Sequence, residues 1–186
     1  MKRILFAIAI ILASMAPEAT AQRYVVRDVA AIEADINVGI ATAANKIDMY
    51  GRTRQGIDAN IELRYNFAAA PVDLGIYYSI CTIPRGESVG NTAKSYDFNS
   101  MNLLLTSDYN FYQGRRVSPF VGLGMGVAWS EINANGTSHG THFAIMPRVG
   151  IEIASRLRIS LAYKAFDRAN NHLVVGIGIA FGGGRR

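Results

Sequence analysis

Apolar and polar residues alternate along most of this chain. Ile32, Ala34, Ile36, Val38 and Ile40 fall on one parity, and Glu33, Asp35 and Asn37 on the other. Side chains of a β-strand point alternately to opposite faces, so this period predicts a strand with one apolar and one polar face. The pattern recurs. Ile57, Ala59, Ile61, Leu63, Tyr65 and Phe67 oppose Asp58, Asn60, Glu62, Arg64 and Asn66. Val72, Leu74, Ile76, Tyr78 and Ile80 oppose Asp73, Gly75, Tyr77 and Ser79. Met101, Leu103, Leu105, Tyr109 and Phe111 oppose Asn102, Thr106, Asp108 and Asn110, with Leu104 and Ser107 out of step. Further strands are predicted at Pro119–Ser130, His142–Ile153, Leu157–Lys164 and His172–Phe181, eight in all. Pro147 sits inside the sixth, where a missing N–H donor predicts a bulge or a local break in the ladder.

The fifth strand reads PFVGLGMGVAWS. Val121, Leu123, Met125, Val127 and Trp129 make its apolar face, and Gly122, Gly124, Gly126 and Ala128 leave the other face bare. The connections are expected to alternate in length. Those at residues 43–55, 81–100 and 131–140 read as long loops, and those at 68–71, 113–116 and 154–156 as short turns; the last, at 167–171, is short for a place where a long loop is expected. Together these features predict an all-β fold, an eight-stranded antiparallel up-and-down transmembrane β-barrel.

Composition narrows the setting. Lys2 and Arg3, the apolar run Ile4–Leu12 and the small residues at Ala19-Thr20-Ala21 have the order of a secretory signal peptide, so residues 1–21 are expected to be removed and residues 22–186 to form the barrel domain. The whole chain has 186 residues and a net charge of +5, and the leader takes Lys2, Arg3 and Glu18 with it, leaving +4. The basic residues are scattered, so nothing points to nucleic acid. A single cysteine, Cys81, rules out an internal disulfide. No apolar run after residue 21 approaches the ~20 residues of a spanning helix, so any crossing of a membrane must use strands.

Two barrels fit the pattern. A soluble periplasmic, lipocalin-like barrel turns its apolar face inward and binds an apolar ligand; a membrane barrel inverts this. Three features favour inversion. The bare glycine face suits a narrow, crowded lumen. The aromatics Tyr65, Phe67, Tyr109, Phe111 and Phe181 gather at one set of strand ends, and Tyr78, Trp129, Phe143 and Tyr163 near the other, all on the apolar face, as two interfacial belts require. The polar face carries Glu33, Asp35, Asp58, Glu62, Asp73, Asp108 and Glu152 with Arg64, Arg148, Arg158 and Lys164, charges of both signs that a closed lumen can pair.

Catalytic chemistry is thin. Ser138-His139-Gly140-Thr141-His142 with Glu152 is the best triad candidate, and it would make the chain a lipid A-modifying enzyme borne on a barrel. Parity puts Glu152 toward the lumen, which fits a triad poorly, and no local carboxylate stands at metal-ligand spacing from the histidines. The sequence therefore predicts no catalytic, metal or cofactor site.

The alternating strands, the PFVGLGMGV segment and the final NHLVVGIGIAF resemble the small bacterial outer-membrane barrels, the transmembrane domain of OmpA and the OmpX-like barrels, over the whole expected mature chain. The resemblance implies a structural or surface-interaction role, with the longer loops outside and the termini in the periplasm. It implies contact with outer-membrane lipid and lipopolysaccharide, and insertion by the barrel-assembly machinery. Gly176, Ile179 and Phe181 match the family's assembly signal. Val174 stands where the family usually has a polar residue, and Gly182–Arg186 runs past the terminal aromatic.

Overall fold

The computed structural model describes residues 30–44, 52–53, 55–68, 70–89, 92–112, 115–134, 136–167 and 170–182. The expected signal peptide and residues 183–186 lie outside them. The described strands are β1 (Ile32–Ala43), β2 (Arg52–Thr53), β3 (Gly56–Asn66), β4 (Val72–Val89), β5 (Thr92–Asn110), β6 (Val117–Ala134), β7 (Gly136–Ile153), β8 (Leu157–Lys164) and β9 (His172–Phe181). Leaving β2 aside, each strand pairs antiparallel with the next along the chain, and β1 closes on β9 from Ala34↔Phe181 to Ala43↔His172. The two-residue β2 pairs only with the far part of β4, so eight strands make the wall.

The register sets the barrel's shape. Glu33 pairs with Arg64, Arg64 with Gly75, Gly75 with Thr106, Thr106 with Gly124 and Gly124 with Met146. Met146 lies across from Lys164, which pairs with His172, and His172 pairs with Ala43. One circuit thus returns to β1 ten residues beyond its start at Glu33. Such a stagger accompanies a strand tilt of roughly 35–45°.

One end of the barrel is closed by short turns and is called the turn end. In the turn between β7 and β8, Ala154 and Ser155 adopt left-handed φ angles of 53° and 54°. The other end differs from expectation. The stretches read as long loops at 81–100 and 131–140 are mostly strand: β4 and β5 pair as far as Val89↔Thr92, and β6 and β7 as far as Ala134↔Gly136. Two hairpins therefore rise beyond the barrel rim. Backbone pairing continues wherever the facing strands keep step, even when the apolar alternation that reveals a strand has stopped.

Pro147 creates no bulge. β7 stays in one register with β6 through Leu123↔Pro147. Toward β8, Ile145 and Ala165 exchange both backbone hydrogen bonds at 2.8 and 2.9 Å. Hydrogen-bonding positions alternate in an antiparallel ladder, so Pro147 and Tyr163 face each other at the next one, where the missing N–H leaves a gap.

Candidate functional site

The two faces of the wall settle where the polar residues go. Ile177, Val38 and Ile61 are 51%, 54% and 55% exposed on the outside, whereas Arg64, Arg158 and Lys164 inside are 2% or less exposed. Strand parity alone produces this division, because one face lines a closed tube.

Toward the turn end the lumen holds an ionic tier. Six carboxylates, on Glu33, Asp35, Glu62, Asp73, Asp108 and Glu152, share three guanidiniums. Arg148 donates from Nη1 and Nη2 to Glu62 at 2.8 and 2.6 Å, and from Nε and Nη2 to Asp108, both at 2.8 Å. Arg158 also donates to Asp108 and stacks over the Phe120 ring at 3.7 Å. Arg64 bonds Glu33 at 2.8 Å and faces Asp35, Asp73 and Glu152 at 3.6–3.7 Å. Thr106 donates to Glu62, Asn66 to Glu33 and Asn110 to Asp73. Asp35 is the exception: its oxygens accept no hydrogen bond, and its nearest cations stand at 3.6 and 3.9 Å.

The ions do not fill the lumen alone. Tyr77, Leu104, Met146, Ala128, Ala144 and Ala162 form an apolar plug, and Arg148 and Lys164 lie over the Tyr77 ring at 6.0 and 5.2 Å. Next to the plug, Lys164 Nζ donates to Asp58 at 2.5 Å and to Ser79 at 2.7 Å. Nearer the hairpins a second apolar cluster joins Ala41, Cys81, Ile83, Phe98 and Val174, with Ile132 and Phe166 against it. The glycines admit these large groups. A Cβ at Gly122 would overlap the Asp108 carboxylate, and one at Gly124 would press on Met146 at 3.1 Å. Sequence reasoning missed the large apolar fillers Leu104, Met146, Phe98, Phe120 and Ile83, although their parity matches that of the lumen charges.

On the outer face Tyr65, Phe67, Tyr109 and Phe181 are exposed near the turn end, with Phe111 half-buried there. Tyr65 and Phe67 meet edge-on at 5.2 Å, as do Tyr109 and Phe111 at 5.0 Å. Toward the hairpins Trp129 shares a row with Met101 and Ile80. Tyr78 and Phe143 belong to the next row inward, through Leu103 and Val127, and Tyr163 lies across from Leu173. A groove of about 350 Å³ opens beside Trp129, lined also by Ile80, Met101, Asn99, Glu131, His139 and Thr141.

The triad candidate is not assembled. His139 and His142 have opposite parity on β7, the first exposed and the second half-buried. Glu152 is at the other end of the same strand, where it pairs with Ser118 and Arg158. The side chain of Ser138 lies outside the described residues.

NspA, a neisserial surface protein, overlays on this barrel with a TM-score of 0.58, at 12% identity, over 82% of this chain and 97% of its own. The fold is that of the small outer-membrane barrels. Ail of Yersinia pestis, solved with the heparin analogue sucrose octasulfate, gives 0.49 at 18% identity over 81% of this chain and 99% of its own. The N-terminal barrel domain of Pseudomonas aeruginosa OprF gives 0.49 at 15% over 82% and 99%. No protein-family model matches the chain, and no curated protein sequence does. In this barrel Gly176, Ile179 and Phe181 all lie on β9, the closing strand, with Ile179 and Phe181 facing outward and Gly176 inward against the Asn37 side chain.

Proposed function

We infer that the chain spans the bacterial outer membrane and presents its two projecting hairpins outside. The observation that carries this reading is the inversion of the wall: an apolar band outside, in which Ser107 is a polar exception on β5, and a lumen packed with ion pairs. On β6 the band runs from Val121 to Trp129, which at ~3.3 Å per residue and a tilt of ~40° covers roughly 20 Å along the axis. An outer-membrane barrel carries an apolar band of ~25 Å. The aromatics at its two edges suit the lipid interfaces, and the short turns suit the periplasmic side. Lipid and lipopolysaccharide would be the partners of the outer face. The barrel-assembly machinery would read Gly176, Ile179 and Phe181 during insertion. A soluble lipocalin-like barrel would leave this whole band in water, and its ligand space would be the lumen that Tyr77, Leu104 and Met146 fill.

The role is one of surface interaction rather than catalysis. Among the described residues, no strand pairs with the β8 side of β7 beyond Ile145. Residues 136–144 thus present an edge whose odd-numbered N–H and C=O groups point away from β6, and such an edge accepts an extended segment of another chain.

The test compares boiled and unboiled envelope samples on an SDS gel, after separating outer membrane from soluble periplasm. The reading expects outer-membrane partition and a heat-dependent shift. Release with the soluble fraction, without a shift, would overturn it. An epitope inserted between Gly90 and Asn91 should bind antibody on intact cells; binding only after permeabilisation would reverse the orientation.

A further inference from the structure

We propose that Asp58, Cys81 and His172 form a binding site for a thiophilic divalent metal, of the zinc class, inside the hairpin end of the barrel. The three side chains come from β3, β4 and β9, and all are fully buried. Their donor atoms lie within 4.8 Å of one another. A tetrahedral zinc with bonds of ~2.0–2.3 Å holds neighbouring donors roughly 3.5 Å apart, so closure by about an ångström brings these three to bonding distance and leaves the fourth position to a water. Small residues make the room: β1 passes between β9 and β3, and offers only Gly39, Ala41 and Ala43 to the lumen at this level.

The donors have the right chemistry. His172 Nδ1 meets the Asn170 carbonyl at 3.0 Å. A carbonyl only accepts, so Nδ1 carries the proton and the neutral ring presents its Nε2 lone pair. A backbone carbonyl behind the ring is the arrangement that orients metal-bound histidines. Asp58 is held at Oδ2 by Lys164, while Oδ1 receives only Asn60 at 3.2 Å and has a lone pair to give. Binding forms metal–sulfur, metal–nitrogen and metal–oxygen bonds and releases the thiol proton to solvent; nothing is oxidised or reduced. Thiolate and carboxylate together balance the dication, and the Lys164 ammonium limits the affinity.

Phe98 and Phe166 pack edge-on against the His172 ring at 6.4 and 5.7 Å, and the three donors are fully buried, so the metal is supplied as the barrel folds. The chain is refolded into detergent micelles with zinc, or with cobalt as a spectroscopic stand-in, and the heat-modifiable form is dialysed and assayed for metal. One zinc per chain is expected, with a thiolate-to-cobalt charge-transfer band. The chain has one cysteine, so that band can arise only from Cys81. Cys81→Ala and His172→Ala should each weaken binding about tenfold or more, and His139→Ala should leave it unchanged. Absence of the band from the folded wild type overturns the proposal, even if the variants fail to fold. So does binding that survives Cys81→Ala, or that is lost only with His139→Ala.

Discussion

Arg148→Met tests whether the lumen is dry. The guanidinium makes four hydrogen bonds of 2.6–2.8 Å to two carboxylates. Methionine keeps much of the volume, so the loss reports charge rather than cavity. Glu62 would retain the Thr106 hydroxyl, and Asp108 would retain Arg158. Removing one partner of a buried ion pair costs about 3–5 kcal/mol, because a desolvated charge is stranded. At ~1.4 kcal/mol per decade, the unfolding constant should rise on the order of 10²–10⁴-fold. Six carboxylates sharing three guanidiniums leave no spare cation to compensate. Adding Glu62→Gln neutralises one stranded charge, so the double variant should recover at least ~1 kcal/mol relative to Arg148→Met. Urea unfolding in micelles, followed through Trp129, the single tryptophan, measures both. A loss under ~1 kcal/mol for Arg148→Met would match an exposed ion pair. It would mean that water reaches the tier, and the argument from burial would fail.

Three further outcomes follow from the register and the faces. Ile177→Arg puts a charge on the outer face between Val38 and Ile159, midway along the band, and should cost ~2–4 kcal/mol in bilayers; equal stability to wild type after vesicle insertion would contradict a lipid-facing wall. Thr141→Pro removes an N–H that points to the open edge of β7 and should change stability by less than ~0.5 kcal/mol. His142→Pro breaks a bond to β6 at Ala128 and should cost ~1 kcal/mol or more, so equal melting of the two prolines would refute the assigned edge. Ala154→Gly relieves a left-handed turn residue and should stabilise by ~1 kcal/mol in the same urea titration, whereas a loss would mean that the turn is unstrained.

The alternation from Ile32 to Phe181 was enough to place eight strands and to sort their faces, because a strand's period of two depends on the backbone alone. It also put Arg64, Arg148, Arg158 and Lys164 on the side that the tube encloses. The ends of the strands were not legible. Past Ile80 and Trp129 the outward face turns polar, at Thr82 and Glu131, and only pairing with the neighbouring strand shows that β4 to β7 continue. Leu104 looked like a lapse in a polar face, and Met146 and Phe98 drew no reading at all, yet in a narrow lumen all three are its filling. Partners were hidden for the same reason. Arg148 and Glu62 are 86 residues apart, as Lys164 and Asp58 are 106, and nothing local links them. Their meeting follows from the stagger of ten, a property of the closed barrel. The sequence by itself determined which side chains go inside; the closure of the sheet decided which of them touch, because contact across a barrel depends on register summed over every strand.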